Sequence, residues 1–405
     1  MNIFLSNPAV FCCAGSNSAE FYESLINANQ KGIKKVELQL RAENEKKSFF
    51  VGKIDDEKFK NVIPEFKKYD SRFLRLEESA LCQIENEVFE AIKFYGKERI
   101  GVCVGQCDNG SELSLNAHKY FFEKGSFPEN YEIEEQGASM ATSYVSKKFD
   151  VSGPSISFAT ACSSSATALI KARELILSGI CDAVIAGGVD VASATVLLGF
   201  DSLQAVQKDK ITNPFSKNRA GITLGEGAGF FVLTKDDIFN TKIILCGCGE
   251  SSDANHMTAP LEDGSGAKMA MEKALKNAEL LSENIDYINL HGTGTHLNDS
   301  MEAKAVNSVF GEKIPVSSTK PVTGHTLGAA GVLELAACFL AVENGILPVH
   351  IWDNVFDEEI PKLNFVSKSE NRSNEKKEIK CCMSNSFAFG GANASLIIKK
   401  SENKE

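Results

Sequence analysis

Several chemistries have no signature in this 405-residue chain. There is no G-x-x-x-x-G-K-[ST], and no G-x-G-x-x-G stands between a strand and a helix. The glycine-rich stretch Asn213–Gly229 therefore reads as a buried turn system, not a phosphate cradle. The twelve cysteines include no C-x-x-C pair and no zinc-type spacing. A chain this long buries a core without disulfide staples, so reduced thiols in a cytoplasm are expected. Positive charge is not in excess: the formal net charge is −11, which argues against nucleic acid or an anionic membrane as the main partner. No window approaches eighteen uncharged apolar residues, so no transmembrane helix is expected. Met1–Ala14 has an apolar piece but no basic start, and reads as a first core strand, not a secretory leader.

What is present is ordinary globular material, 43% hydrophobic and 24% charged. Short apolar strands are expected at Asn2–Leu5, Ile100–Val104, Ser155–Ala159, Asp182–Gly188, Gly229–Leu233, Lys242–Cys248, Ile285–Leu290, Ile314–Ser318, Ile379–Met383 and Ala394–Lys399. Helical spacing covers Glu20–Asn29, Glu77–Phe94, Gly137–Phe149, Ala166–Leu177, Ala267–Leu281 and Ala329–Val342. Lys31–Arg72 reads as a charged, irregular surface segment and Ser367–Glu378 as a solvated loop. The alternation of strands and helices argues for α/β architecture with mixed, mostly parallel sheets. The chain also echoes itself. Each half holds a buried strand, a tight corner of small residues and then a helix, with Cys162 at the first corner and Thr319–His325 at the second.

The first corner organises the chain. A strand over Ser155–Ala159 turns directly into a helix, with Cys162 between them among Ala161, Ser163, Ser164 and Ser165. The free amides at a helix start favour thiolate, so a thiol pKa below ~8.5 is expected, and small neighbours leave room for an electrophile. Most strand-end cysteines are inert packing, so the company of this one matters. Of only six histidines, His291 and His325 occupy Gly/Thr-rich corners after buried strands, and Lys320 stands near the second. His118, His256, His296 and His350 lack that setting. A cysteine with a histidine suits acyl transfer through a thioester, while a second histidine and a lysine supply donors where negative charge develops.

The motifs GPSISFATACSSS (Gly153–Ser165), NPF…R…GEGAG (Asn213–Gly229), HGTGT (His291–Thr295), KPVTGHTLGAAG (Lys320–Gly331) and SNSFAFGGAN (Ser384–Asn393) occur in this order. Together they resemble the elongating β-ketoacyl-acyl-carrier-protein synthases of the thiolase-like superfamily, over about Ile100 to Ile398. Thiolases carry a second catalytic cysteine near the C-terminal glycines, and initiating synthases carry Asn where His325 stands. The resemblance implies a layered αβαβα thiolase-like fold of two halves, residues 1–240 and 241–405. It implies a Claisen condensation of an acyl group on Cys162 with a decarboxylating malonyl group. In that scheme His291 and His325 donate to the enolate, Lys320 orients them, and Glu334 pairs with Lys320. The amides of Cys162 and Phe389 form an oxyanion hole, and the Phe389 ring gates the acyl pocket. Thr293 and Thr295 contact the pantetheine arm. No cofactor or metal is implied beyond the phosphopantetheine of the acyl carrier protein. The implied assembly is a homodimer, or a heterodimer with a ketosynthase-like subunit.

The chain departs from the family pattern at Ala388 (usually Gly), His296 (usually Pro), Ala220 (usually Asp) and Gly105–Gly110, GQCDNG. None of these removes a catalytic group, and together they point to a specialised branch. SFAFGG beside an intact set is similar to synthases of aryl-polyene-type pathways. Two other readings remain at this point. A chain-length-determining partner subunit would usually lack the cysteine. A papain-like hydrolase would leave the second histidine and the lysine without a task.

Overall fold

The computed structural model describes residues 1–39, 46–108, 110–129, 131–368 and 378–401, so most of the expected loop Ser367–Glu378 lies outside the described residues. Starting at one edge, the main sheet orders Asn364–Phe365, Pro315–Ser317, Tyr287–Asn289, Cys381–Phe387, Ala392–Lys400 and Ile243–Ser252. It continues through Phe4–Leu5, Gly227–Thr234, Ala183–Asp190, Ile100–Gly105 and Ser155–Phe158. Ala9–Cys12, the expected first core strand, pairs beside Gly227–Thr234.

The echo between halves is visible in the strand pairing. In the first half Ile100–Gly105 pairs in parallel with Ser155–Phe158 and with Ala183–Asp190, which pairs antiparallel with Gly227–Thr234. In the second, Tyr287–Asn289 pairs in parallel with Pro315–Ser317 and with Cys381–Phe387, which pairs antiparallel with Ala392–Lys400. Parallel pairing in this sheet is therefore confined to the flanks, and the centre is antiparallel.

Two helices, Ser164–Leu177 and Ala330–Asn344, are packed with strands of both halves in one apolar cluster. Outer helices cover the far faces: Arg72–Leu81, Glu85–Tyr95 and Met140–Phe149 on one side, Ser265–Ala278 and His296–Phe310 on the other. The layers follow from the side-chain pattern. Every residue from Ala330 to Val342 is buried, as a helix packed among strands of both halves requires. The segment Leu327–Asn344 is long and apolar enough to cross a membrane by length and composition, although Glu334 and Glu343 keep it from being an uncharged run. It is 89% buried inside the protein.

Several elements differ from expectation. Lys31–Arg72 is not irregular: Ile33–Gln39 and Lys46–Gly52 form an antiparallel pair, joined in parallel by Leu224–Gly225. Val36 and Leu38 alternate with lysine and glutamate there, and the charge masked the strand period. The single helix expected at Glu77–Phe94 is two, broken at Cys82–Ile84. No proline or glycine breaks it. The Gln83 side chain accepts from the Val10 amide and donates to Val10 and Ser16 carbonyls, tertiary bonds that outweigh local helix preference. Ser155–Phe158 is a half-exposed edge strand, not a buried one. Helices Ser111–Lys124, Ala194–Ser202 and His296–Phe310 were not expected.

Candidate active site

Each central helix begins at a corner of the same shape. Ala161 (φ +51°) opens a 3₁₀ turn through Ser163, and the helix starts at Ser164. Leu327 (φ +53°) opens a 3₁₀ turn through Ala329, and the helix starts at Ala330. A left-handed backbone at a residue with a Cβ costs about 1–2 kcal/mol, so both bends are held by their surroundings. The serines of the first corner hold it: Ser164 Oγ donates to the Ala161 carbonyl at 2.6 Å and accepts the Thr160 amide at 2.9 Å. Gly105 makes the approach feasible, because a Cβ there would lie 2.2 Å from the Ser164 backbone. Ser165 Oγ accepts the Val332 amide at 3.0 Å, so the two helix starts are tied to one another.

These ties bring the sequence-predicted residues together. Cys162 Sγ lies 3.0 Å from His325 Nε2. The His291 and His325 rings meet edge to face with centroids 5.4 Å apart. Lys320 Nζ donates to Glu334 Oε1 and to the His291 carbonyl, and lies 3.4 Å from His291 Nδ1. The Phe389 amide points at Cys162 Sγ, and the Phe389 ring stacks on Phe200 at 5.8 Å. Thr293 and Thr295 share a 3.1 Å hydroxyl contact. Cys162, both histidines, both threonines and Phe389 line one cavity of about 280 Å³.

The electrostatics differ from expectation at Cys162. The thiol is not lowered: burial pushes it up to about 12, although Lys320 and the Phe389 amide pull the other way. The helix start offers amides, but a fully buried sulfur loses more hydration as thiolate than those amides return. Burial likewise holds His291 and His325 well below the ordinary imidazole value, reinforced by Lys320. Burial raises Glu334 to about 7, against the pull of Lys320. The resting site is thus a neutral thiol facing neutral imidazoles. Lys320 can only donate to Nδ1 of His291, which leaves the proton on Nε2, toward the cavity.

The ligating atoms of Cys162, His291 and His325 lie within 4.8 Å of one another, close enough to share a cation. The donor set does not suit one. His291 Nε2 presents a proton instead of a lone pair, and the Lys320 ammonium stands behind it.

Sequence reasoning missed three residues. Glu302 accepts the His291 and Gly292 amides, both at 2.7 Å, and fixes the HGTGT turn. Its signal is an acid buried on the helix that follows the motif. Asp190 ends a glycine-rich strand and accepts three amides. His296, set aside above, lines the mouth of the cavity with His256. Ala388 is extended (φ −101°), a conformation open to any residue, and the left-handed conformations fall on Gly390 and Gly391, which suit them.

A buried thiol beside two imidazoles and a lysine, on a doubled α/β scaffold, suits an acyltransferase of the thiolase-like class. The β-ketoacyl synthase N-terminal domain model matches residues 9–237, and the C-terminal domain model matches 243–352. 3-Oxoacyl-[acyl-carrier-protein] synthase 2 of Vibrio cholerae is 36% identical over 319 residues, covering 75% of this chain and 76% of its own. The mitochondrial 3-oxoacyl-[acyl-carrier-protein] synthase of Arabidopsis thaliana is 35% identical over 327 residues, 74% of this chain and 68% of its own. The structure of the ketosynthase ApeO in complex with its chain length factor ApeC, from Xenorhabdus doucetiae, superposes with TM-score 0.89 at 35% identity, over 99% of this chain and 98% of that one. The chain belongs to the β-ketoacyl synthase family. It is an acyltransferase with the condensing activity of that family, in fatty acid or polyketide elongation.

Proposed function

We propose that Cys162 takes an acyl group from an acyl carrier protein and passes it to the enolate of a malonyl group brought by the same kind of carrier. The observation that carries this reading is the 3.0 Å contact between Cys162 Sγ and His325 Nε2, with the His291 ring beside it and one shared cavity in front. In the first half-reaction the sulfur attacks the incoming thioester, and the thiol proton ends on the departing pantetheine sulfur. The Cys162 and Phe389 amides face the oxyanion. In the second, the malonyl carboxylate leaves as carbon dioxide, and the negative charge passes to the thioester oxygen. The Nε2 protons of His291 and His325 meet it there, with Lys320 and Glu334 holding the pair. The enolate carbon attacks the acyl carbonyl, and the Cys162 sulfur leaves and takes up one proton from solvent. Thr293 and Thr295 hold the pantetheine arm. Residues 1–240 and 241–405 act as two halves that each bring one corner to the reaction.

Carrier protein, dimer and compartment are part of the same reading. Among the described residues the edge strand Ser155–Phe158 has no strand on its outer side, and it exposes Ile156, which suits pairing with a second chain across a twofold axis. The reading is a homodimer, or a heterodimer with a ketosynthase-like subunit of the kind in the Xenorhabdus complex. The presence of Cys162 supports reading this chain as the catalytic member. The described cysteines are all free, which suits a reducing compartment such as a cytoplasm. The specialised-branch reading, aryl-polyene-type synthesis among them, rests on Ala388, on His296 and on the likeness to that complex.

The test is intact-protein mass spectrometry. Acyl carrier protein is expected to load one acyl group onto the wild type and none onto Cys162→Ala, and malonyl carrier then clears it as a β-ketoacyl product. An acyl adduct that forms without Cys162 sinks the assignment.

A further inference from the structure

We propose that Asp190 is a positioning residue of this site, whose carboxylate clips the loop after one strand of the first half to the corner of the second half that carries His325. Asp190 ends the strand Ala183–Asp190 and is fully buried. Its Oδ1 accepts the Asp108 amide at 2.8 Å. Its Oδ2 accepts the Cys107 amide at 2.8 Å and the Gly328 amide at 2.6 Å. No cation neutralises it among the hydrogen bonds and ion pairs of the described residues; amides alone hold it. Gly328 sits in the 3₁₀ turn Leu327–Ala329, three residues past His325. Cys107 and Asp108 follow Gly105, the residue against which the Ser164 backbone rests. One carboxylate therefore spans both corners, and its three bonds set how closely His325 can approach Cys162. The contact tolerates nothing larger than glycine: a Cβ on residue 328 would lie 2.6 Å from Oδ2.

An amide cannot do the same work. Asn offers one acceptor oxygen, and its NH₂ would point at a backbone N–H. The charge also reaches the thiol. Burial raises Asp190 itself to about 7, so it is charged over the alkaline range in which the thiol titrates; there Asp190 and Glu334 raise Cys162 while Lys320 lowers it, and the other titratable groups against Asp190 are Asp108 and Cys107 on the loop.

The inference rests on the condensation reading above, and the experiment separates the two. Wild type, Asp190→Asn and Asp190→Glu are compared for malonyl-carrier decarboxylation, per Cys162 titrated with an alkylating agent, and for the pH profile of that alkylation. D190N is expected to lose at least tenfold in kcat with KM within twofold, because the pantetheine contacts at Thr293 and Thr295 are elsewhere. Its alkylation profile moves to lower pH, because a negative neighbour is gone. D190E keeps the charge on a longer stem and loses at least threefold in kcat with its profile in place. A kcat within twofold for D190N overturns the proposal. So does a loss of kcat that merely tracks lost titratable thiol, the result of a structural staple. If D190N does not fold, an unchanged kcat in D190E overturns it. If the wild type does not decarboxylate malonyl carrier, the reaction assigned above is wrong, and an unmoved alkylation profile in D190N still overturns the role of Asp190.

Discussion

Cys162 and His325 leave equivalent corners of the two halves and meet with Sγ 3.0 Å from Nε2. The pair is neutral at rest, because burial raises the thiol and lowers the imidazole. A sulfur held near 12 carries roughly a thousandth of the thiolate of an ordinary cysteine at neutral pH. Iodoacetamide is therefore expected to alkylate Cys162 slowly at pH 7, with a rate still climbing at pH 9.5. Lys320→Met removes the largest influence that lowers this pKa, so its profile moves further up. A rate that levels off near pH 8 in the wild type contradicts this electrostatic picture.

The two imidazoles do different work from the thiol, and single substitutions separate them. On the proposed reading, His325→Ala removes one donor aimed at the enolate oxygen, a loss typically worth about 3 kcal/mol of barrier. Malonyl decarboxylation is expected to fall by roughly 10²–10³, while Cys162 still loads an acyl group. Quenched-flow measurement of carbon dioxide release against acyl loading reads both steps. Near-normal elongation by H325A rules out the role given to His325.

Lys320 and Glu334 form a buried ion pair, 1% and 4% exposed. Such a pair is costly to assemble, but removing one partner leaves a bare charge and typically costs about 3–5 kcal/mol. Glu334→Gln is expected to lose stability on that scale in urea melts, and the Lys320→Met/Glu334→Leu double variant to recover part of it. If the double variant is as unstable as E334Q, the cost lies in packing and not in the unpaired ammonium.

Much of this site is legible in the sequence because its chemistry sits in contiguous motifs at corners: Cys162, His291, Lys320, His325 and Phe389 are each surrounded by small residues that only a tight turn needs. Glu302 was not found because an acid on a helix carries no local mark that it accepts the amides of the preceding turn, and Asp190 because it works through backbone amides distant in sequence. The direction of the Cys162 shift was misread for the same reason: the helix start is local, while the burial that outweighs it comes from the second half. In the fold, Gln83 splits a helix that periodicity runs together, and its partners Val10 and Ser16 lie some seventy residues away. The helix Ser111–Lys124 was passed over because its aromatic residues do not mark a buried stripe. Phe122 is 82% exposed, and Tyr120 and Phe121 are also exposed.

Glu77 poses a separate problem, away from the site. It is fully buried on the helix Arg72–Leu81, and neither carboxyl oxygen has a hydrogen-bond partner among the described residues. Burial, with the Glu78 charge behind it, holds its pKa well above the usual carboxylate range. The sign follows from proton uptake. Below the unfolded value near 4.5 the group is protonated in both states and costs nothing through ionisation. Above it the unfolded chain ionises first, so folding takes up a proton, and this group's contribution falls by about 1.4 kcal/mol per pH unit until the folded pKa is reached. Glu77→Met removes that dependence and fills the space with a side chain of similar length. The stability advantage of E77M in urea is expected to widen steadily from pH 5 to pH 7. An advantage that stays flat over that range would mean that Glu77 has found a buried partner, such as an ordered water, that keeps its ionised form at little cost.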